Sequence, residues 1–284
     1  MAKGNTAFYI ARRYLIAKKG SQAVSFITGL AAFAMMVAVA AMFIIISVFS
    51  GLEDLNKDFI SNLHADLTLK SSQGKVIPNI QKVTSTLKSE NEISHFSKMI
   101  EEKVYIDYKN TGEIAYIRGV DSAYVKVNPI DKNIFYGSYP SFKFMNEVIM
   151  EAQLNNRLAI PVANDVNVAT LFMPKTGKGI INKEEDIFNK KDIYVTGIFP
   201  GNDQLNNYII APLELTSELL NLPKNSAYEI AIKLKNPEKA DAVKEDLQNK
   251  LGNQVTIKTK AEENAAFWKM INTEKLMIYL IFAL

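Results

Sequence analysis

The stretch that decides the fold is FITGLAAFAMMVAVAAMFIIISVF, Phe26 to Phe49, and no charged residue occurs from Gly20 to Leu52. As an α-helix rising about 1.5 Å per residue, it would extend about 36 Å, enough to cross a hydrocarbon core of about 30 Å. A cleaved signal peptide is the less favoured alternative because the run is too long for one, and no polar stripe marks a soluble helix. The sequence predicts a membrane span at residues 23–50.

The residues before this span are basic. Positive side chains without any acidic neighbour precede it, namely Lys3, Arg12, Arg13, Lys18 and Lys19. By the positive-inside rule, we expect residues 1–22 to stay in the cytoplasm and residues 51–265 to lie on the other side of the membrane. Aromatic and basic residues beside a span are also typical of an interfacial helix along the membrane surface, with a plain basic tail as the alternative.

The sequence becomes apolar again at its other end, where Leu276 to Leu284 read LMIYLIFAL. Nine residues are too few to cross a bilayer as a helix. We therefore expect residues 266–284 to be a helix that begins a second, truncated span, with a short interfacial anchor as the alternative. Trp268 and Tyr279 bracket its start, as aromatic residues do at a membrane interface. A helix running without a break from Ala261 into the span would be stiff.

Strand and helix signals alternate between the two apolar ends, which predicts an α+β domain carried between transmembrane helices. The predicted strands are 65–70, 99–107, 113–118, 147–152, 169–173, 193–199, 208–211, 227–234 and 254–258, and the predicted helices are 79–88, 212–220 and 237–251. The segment Asn110-Thr111-Gly112 predicts a hairpin turn in which Gly112 takes the positive φ. Two lobes are one interpretation, with the division in the Gly/Lys/Asn-rich segment Lys175–Lys191.

No enzymatic chemistry is evident in the chain. It has no cysteine and only two histidines, His64 and His95, so the usual metal and nucleophile sets are nearly empty. Gly177-Lys178-Gly179 lacks the spacing and the hydroxyl of a phosphate-binding Walker A loop. Basic residues are scattered among acidic ones, which argues against nucleic acid as a partner. We predict no catalytic residue, no metal and no cofactor.

One face of the predicted span consists of small residues. Spacings of three and four place the following side chains on that face: Thr28, Ala31, Ala34, Ala38 and Ala41. Small residues let helix backbones approach closely, so this face predicts packing against another transmembrane helix or an entry path for lipid. An ordinary alanine-rich span with chance periodicity is the alternative.

Four stretches carry a resemblance to a known family. They are Phe8–Ser25 with the Ser47–Gly51 segment SVFSG, the Ile117–Asp121 segment IRGVD, the Val195–Phe199 segment VTGIF, and Trp268 with Ile271, Asn272, Glu274 and Lys275. Their order resembles FtsX-like ABC transporter permeases with a MacB-like external domain, and within that group most resembles the LolC/LolE type. The chain departs from the family where Glu151–Leu154 (EAQL) and Ala163–Asp165 (AND) replace a glycine-rich segment.

The resemblance implies a permease of the bacterial inner membrane with a periplasmic domain. It implies a separate cytoplasmic ABC ATPase, a second permease subunit that is identical or different, contact with membrane lipid, a lipoprotein substrate and a periplasmic carrier. The carrier-hook candidates, assigned by position within Pro174–Lys191, are Lys175, Lys178, Ile180 and Ile181. The interfacial or coupling candidates are Arg12, Arg13, Trp268, Glu274 and Lys275.

Two alternatives to this function stay open at the level of sequence. One is a MacB-type efflux permease or an FtsX-type regulatory permease within the same superfamily. The other is a single-span, membrane-anchored binding or sensor protein.

Overall fold

The computed structural model describes residues 22–63, 65–162, 168–175, 187–201 and 206–283, together with residues 6, 9, 10 and 13. The helices are α1 (Gln22–Leu63), α2 (Ile80–Ser89), α3 (Tyr124–Val127), α4 (Ala152–Leu158), α5 (Leu213–Leu219), α6 (Ala240–Leu251), α7 (Lys260–Glu263) and α8 (Ala265–Ala283). The strands are β1 (Leu67–Ser71), β2 (Ile93–Tyr108), β3 (Thr111–Val120), β4 (Tyr136–Gly137), β5 (Glu147–Glu151), β6 (Ala169–Pro174), β7 (Phe188–Phe199), β8 (Tyr208–Pro212), β9 (Glu229–Leu234) and β10 (Val255–Thr259).

The chain divides into two compact units. The helical unit comprises Met1–Asp58 and Ile271–Leu284, and the large domain comprises Phe59–Met270. In the helical unit, α1 contains the segment Phe26–Leu52, which has a mean hydropathy of 2.7 and no buried residue. Within the described part of the chain, it is the one segment long and apolar enough to cross a membrane. The helix has the length and composition of a span, and its insertion in a membrane stays a prediction.

The first lobe of the large domain is an α/β sandwich. Its four strands lie in the order β10-β1-β9-β2, and all neighbours are antiparallel. Because α2 connects β1 to β2 and α6 connects β9 to β10, this is the βαββαβ arrangement of ferredoxin-like folds. Leu67 and Leu69 of β1 and Val83 and Leu87 of α2 are buried in its core. The spacing of Val83 and Leu87 gives α2 the single apolar face that covers the sheet.

The second lobe is a closed barrel of six strands. They pair in the ring β2-β3-β8-β5-β7-β6, and β6 pairs again with β2. Ile106, Ile117 and Ile209 are buried inside, and Leu154 of α4 and Leu215 of α5 join the same core. Closure leaves the barrel without free edges, so its backbone hydrogen bonds are satisfied internally.

Strand β2 is the common element of both lobes. Its 16 residues pair with β9 at Phe96↔Ile232 and, further along, with β3 at Val104↔Ala115. The inserted barrel strands thus separate β2 from β9 in sequence, so the chain leaves the first lobe at β2 and returns to it at β9. The predicted division within Lys175–Lys191 is wrong. Strand β6 ends just before that segment and β7 begins within it, and the two strands pair with each other and share the barrel core.

Two local predictions are also corrected. At the β2–β3 hairpin, Lys109 and Asn110 take the positive φ values of 50° and 65°, whereas Gly112 lies within β3 against the ring of Tyr105. The helix that was expected to run unbroken from Ala261 is interrupted at Asn264, which separates α7 from α8. The Asn264 side chain donates a hydrogen bond to the Lys260 carbonyl over 2.9 Å at this break.

The motif glycines stand where other chain atoms approach closely. A Cβ atom on Gly119 would lie 2.4 Å from Thr216 Oγ1, and one on Gly197 would lie 2.6 Å from the Ser138 carbonyl oxygen. Asp121, which ends the IRGVD motif, accepts hydrogen bonds from Ser97 Oγ over 2.7 Å and from the Lys98 amide over 3.0 Å. The residues that carry the resemblance in the large domain therefore have structural roles.

The departure at Glu151–Leu154 also has a structural explanation. Glu151 is buried and precedes α4, where its carboxylate accepts hydrogen bonds from the amides of Gln153, over 2.7 Å, and Leu154, over 2.9 Å. These are helix N-terminal amides that no residue within the helix can satisfy. This segment therefore starts a helix with a side-chain cap.

Candidate functional site

The small residues predicted to form a packing face lie along α1. Thr28, Ala31, Ala34, Ala38 and Ala41 are all exposed within the helical unit. Their i, i+3 and i+4 spacing places them on one side of a continuous helix. Their packing on another helix stays a prediction.

Two of the predicted coupling residues meet α1 in the helical unit. Glu274 and Lys275 of α8 line a groove of about 210 Å³ whose other wall includes Ile46 and Phe49 of α1. Trp268 is partly buried near the start of α8. Arg13 is exposed, and Arg12 lies outside the described residues.

The carrier-hook candidates come between β6 and β7 in the sequence. Lys175 is exposed directly after β6, and its amide donates to the Ile187 carbonyl over 2.7 Å. Lys178, Ile180 and Ile181 lie outside the described residues. The binding role of all four residues stays a prediction.

The two connections from the helices reach adjacent strands of the large domain. Asp66 follows α1 and precedes β1, and Lys260 follows β10 and begins α7. The Lys260 amide donates to the Asp66 carbonyl over 3.1 Å, beside the pair Leu67↔Thr259 that joins β1 to β10. The Asp66 carboxylate accepts from the Leu234 amide over 2.9 Å. We call this arrangement the junction.

Partly exposed charges fasten α7 to β1 at the junction. The Glu263 carboxylate accepts hydrogen bonds from Thr68 Oγ1 over 2.7 Å and from Lys70 Nζ over 2.8 Å. Lys70 Nζ also lies 3.0 Å from the Glu229 carboxylate of β9. Burial alone would lower the pKa of Lys70, but the charges and hydrogen bonds of Glu229 and Glu263 outweigh it and raise that pKa.

A cavity of about 480 Å³ opens beside the junction, where the two lobes meet. Its volume lies in the range of about 300–1,000 Å³ typical of ligand sites. The polar side chains that line it are Thr68, Lys70, Ser71, Lys75, Glu101, Arg118, Asn128, Tyr228, Glu229, Glu263 and Asn264. The cavity thus combines charged walls with buried apolar residues such as Met99 and Ala231.

Arg118 of β3 anchors the barrel side of the cavity. Its guanidinium nitrogens lie 2.7 and 2.9 Å from Glu101 Oε2, and a third donates to the Tyr124 hydroxyl over 3.3 Å. The guanidinium also lies 4.9 Å from the ring centroid of Tyr208, whose hydroxyl donates to Glu101 over 2.8 Å. The ring of Tyr208 stacks on Tyr116 at 5.2 Å. These contacts fix one wall of the cavity.

Glu229 gives the cavity a measurable pH dependence. Burial raises the pKa of Glu229, although Lys70 opposes this effect. The protonated carboxyl therefore stabilises the fold below the unfolded-state pKa of about 4.3, and this contribution is lost as pH rises through the higher folded-state pKa.

We expect Glu229→Gln, which mimics the protonated form, to gain stability relative to the native chain as pH increases from 4 to 8. Urea denaturation of the two proteins in parallel measures the difference in their free energies of unfolding at each pH. The contributions of the other titrating groups are common to both proteins and cancel in that difference. A difference that is constant with pH, or that falls, would contradict the assignment.

Candidate metal ligands are not clustered among the described residues. Among them, no group of three His, Cys, Asp or Glu side chains is close enough to hold a metal ion. His95 is exposed on β2, where its Nδ1 lies 2.8 Å from Ser94 Oγ, and His64 lies outside the described residues. The junction and the cavity were missed by sequence reasoning, because Lys70 and Glu263 are remote in sequence and no local motif links them.

The sequence model of the MacB-like periplasmic core domain matches residues 28–250. The chain belongs to this family. The MacB-like family comprises permease components of ABC transporters, so the predicted FtsX/MacB-like permease class is confirmed. The match does not distinguish the LolC/LolE type from other MacB-like permeases.

A solved structure agrees with the MacB-like fold. The periplasmic region of MacB from Actinobacillus actinomycetemcomitans matches with a TM-score of 0.52 and 12% identity, over 73% of this chain and 95% of that one. The extracellular domain of the noncanonic ABC-type transporter YknZ from Gram-positive bacteria has a TM-score of 0.49 and 8% identity, over 68% and 99% of the respective chains. No curated protein matches the chain. The first match supports the predicted α+β fold.

Proposed function

We propose that this chain is a permease subunit of an ABC transporter that extracts lipoproteins from the bacterial inner membrane and delivers them to a periplasmic carrier. The observation that carries the proposal is the ordered set of motif matches on a chain that combines a span with a MacB-like domain. In this proposal the N-terminus is cytoplasmic and the large domain is periplasmic.

The proposed mechanism involves no covalent chemistry in this chain. A separate cytoplasmic ATPase binds and hydrolyses ATP and displaces the spans of two permease subunits. Displacements of α1 and α8 reach the large domain at Asp66 and Lys260, which a hydrogen bond of 3.1 Å joins. Because the two connections enter adjacent strands, β1 and β10, the first lobe receives both displacements together.

The acyl chains of the lipoprotein explain why the transporter needs ATP and a carrier that accepts the cargo. Removing an acyl chain from the bilayer costs roughly 0.8 kcal/mol for each CH₂ group, so a carrier with an apolar site must receive it. We propose the segment between β6 and β7, with Lys175, Lys178, Ile180 and Ile181, as the carrier contact. Lys175 is exposed at the start of that segment.

Conditional depletion of the protein tests the cargo assignment. We expect lipoproteins of the outer membrane to accumulate in the inner-membrane fraction as the protein disappears. Normal lipoprotein sorting, together with loss of drug efflux or of cell-wall hydrolase activity, would instead identify a MacB-type or an FtsX-type permease. The fold shared with the MacB periplasmic region is the observation that favours this second candidate.

The small face of α1 predicts where a partner helix or lipid lies. We expect a photo-crosslinking residue at Ala34 or Ala38 to capture a membrane protein or a lipid-modified substrate, because small residues allow close approach. The same residue at Met36 or Phe43, which a helical increment of 100° per residue places on the opposite face, provides the matched control. Gel shifts detected by immunoblotting report capture, and equal capture from both faces would contradict the predicted packing.

A further inference from the structure

Helix α7 is the single turn through which the chain passes from β10 to α8. It is four residues long and ends at the break at Asn264. A capping box closes its start, because Thr259 Oγ1 accepts from the Glu262 amide over 3.3 Å and the Glu262 carboxylate accepts from the Thr259 amide over 2.9 Å. A helix this short is not stable alone, so contacts with the rest of the domain must hold α7 in place.

Glu263 supplies side-chain contacts between α7 and β1. Its carboxylate accepts hydrogen bonds from Thr68 Oγ1 over 2.7 Å and from Lys70 Nζ over 2.8 Å. Thr68 is buried, and the Glu263 side chain is only 20% exposed. Lys70 Nζ lies in turn 3.0 Å from the Glu229 carboxylate of β9. Through Glu263, α7 is therefore fastened to β1 and β9, the two central strands of the first lobe.

The place of these contacts in the chain gives them a mechanical consequence. Strand β1 follows α1, and α7 precedes α8, so both elements adjoin the long helices in sequence. If α7 were released from β1, a pull on α8 would unwind its four residues and lengthen them from about 6 Å to about 13 Å. The connection would then absorb about 7 Å of displacement, which exceeds the rise of one helical turn. A fastened α7 passes the displacement on to the sheet.

We propose that Glu263 is a positioning residue, which holds α7 on β1 so that a displacement of α8 moves the first lobe and does not unwind α7. This role rests on the proposed function, in which the ATPase displaces the spans. It adds to that function the side chain through which the displacement enters the large domain. Glu263 acts through Thr68 and Lys70, which accept the load on β1.

The distance between two spin labels tests the fastening without any cargo. The chain has no cysteine, so Glu245→Cys on α6 and Met270→Cys on α8, both exposed, provide the two labelling sites. Pulsed electron paramagnetic resonance measures their separation in the complex with the ATPase, with and without ATP. We expect ATP to change the separation by less than about 2 Å in the native background and by about 3–7 Å in Glu263→Ala. An equal change in both backgrounds, or no change in either, would overturn the proposal.

The amount of lipoprotein released per ATP hydrolysed, measured in proteoliposomes, tests the consequence for transport. We expect Glu263→Ala to lower this ratio at least fivefold, while the rate of ATP hydrolysis stays within twofold of the native rate. A purely structural role would not separate the two quantities in this way. An unchanged ratio in a complex that hydrolyses ATP and releases lipoprotein would contradict the role of Glu263.

The matched control is Glu90→Ala, which removes an ion pair of the same geometry away from the junction. The pair of Glu90 with Lys250 spans 2.8 Å, and its side chains are 14% and 47% exposed, against 2.8 Å, 20% and 49% for Glu263 and Lys70. It joins the end of α2 to α6. We expect Glu90→Ala to lose about as much thermal stability as Glu263→Ala but to keep the native ratio of release to hydrolysis. Equal ratios in the two variants would overturn the proposal.

Glu263→Gln separates the hydrogen bonds of Glu263 from its charge, because an amide oxygen still accepts from Thr68 and Lys70. We expect this variant to keep more than half of the native ratio and the native label separation. A Glu263→Gln variant as defective as Glu263→Ala would contradict fastening through these hydrogen bonds. If the native complex hydrolyses ATP without releasing lipoprotein, the proposed cargo is wrong, whereas the label distances still decide whether Glu263 fastens α7.

Discussion

Replacing Arg118 by methionine is expected to lower the free energy of unfolding by about 2–4 kcal/mol. The side chain of Arg118 is only 17% exposed and contacts Glu101, the Tyr124 hydroxyl and the ring of Tyr208. Methionine keeps most of the side-chain volume of Arg118 but has none of its hydrogen-bond donors. Because Glu101 is 39% exposed, water compensates part of the loss, which places the expected value below that of a fully buried pair.

Urea denaturation of the full chain in micelles, followed by the fluorescence of the single tryptophan, measures this loss. The matched control is Lys103→Met, whose exposed ammonium lies 5.4 Å from the ring centroid of Tyr116. We expect this control to change stability by less than about 1 kcal/mol. An Arg118→Met variant as stable as Lys103→Met would show that Arg118 does not fix the wall of the cavity.

Replacing Gly137 by alanine is expected to destabilise the fold by about 2–4 kcal/mol, the sum of a strained conformation and overpacking. The φ angle of Gly137 is +78°, and a Cβ atom there would lie 2.1 Å from the Thr196 carbonyl oxygen and 2.7 Å from Gly197 Cα. These are backbone atoms of β7, so the clash with the added Cβ atom can be relieved only if β4 separates from β7.

Gly74 supplies the matched control for this substitution. Its φ angle is +74°, nearly that of Gly137, but no atom lies within 4 Å of the place of its Cβ. We expect Gly74→Ala to cost only about 1 kcal/mol, the conformational part alone. The difference between the two variants in urea denaturation measures the contact between β4 and β7, and equal losses would contradict that close approach.

The sequence predicts most strands because their side chains alternate between core and surface, and the start of β2, Ile93–Met99 (ISHFSKM), is strand-like as well. Its polar residues Ser94, His95, Ser97 and Lys98 do not indicate which of these side chains is buried. In the structure, Ser97 is fully buried because Asp121 accepts its hydrogen bond. A buried polar residue with a remote partner has no local signature.

The lobes and the cavity are beyond sequence reasoning for a related reason. The first lobe is completed only when β9 pairs with β1 and β2 after the whole barrel has intervened. The ion pair of Lys70 with Glu263 likewise joins residues from opposite ends of the domain. Local sequence patterns specify individual helices and strands. The pairing of β9 and the ion pair of Lys70 depend instead on the order of the strands in the sheet, which those patterns do not contain. By contrast, the long apolar helix α1 was predictable, because a continuous apolar run is a local property of the sequence.

The most direct test of the proposed function is reconstitution. The protein is placed in proteoliposomes with its partner permease, the ATPase and a radiolabelled lipoprotein, and a soluble periplasmic extract supplies the carrier. Our account predicts that ATP releases the lipoprotein into the soluble fraction, and that a non-hydrolysable ATP analogue does not sustain repeated release. A complex that hydrolyses ATP while the lipoprotein stays in the membrane would contradict the account.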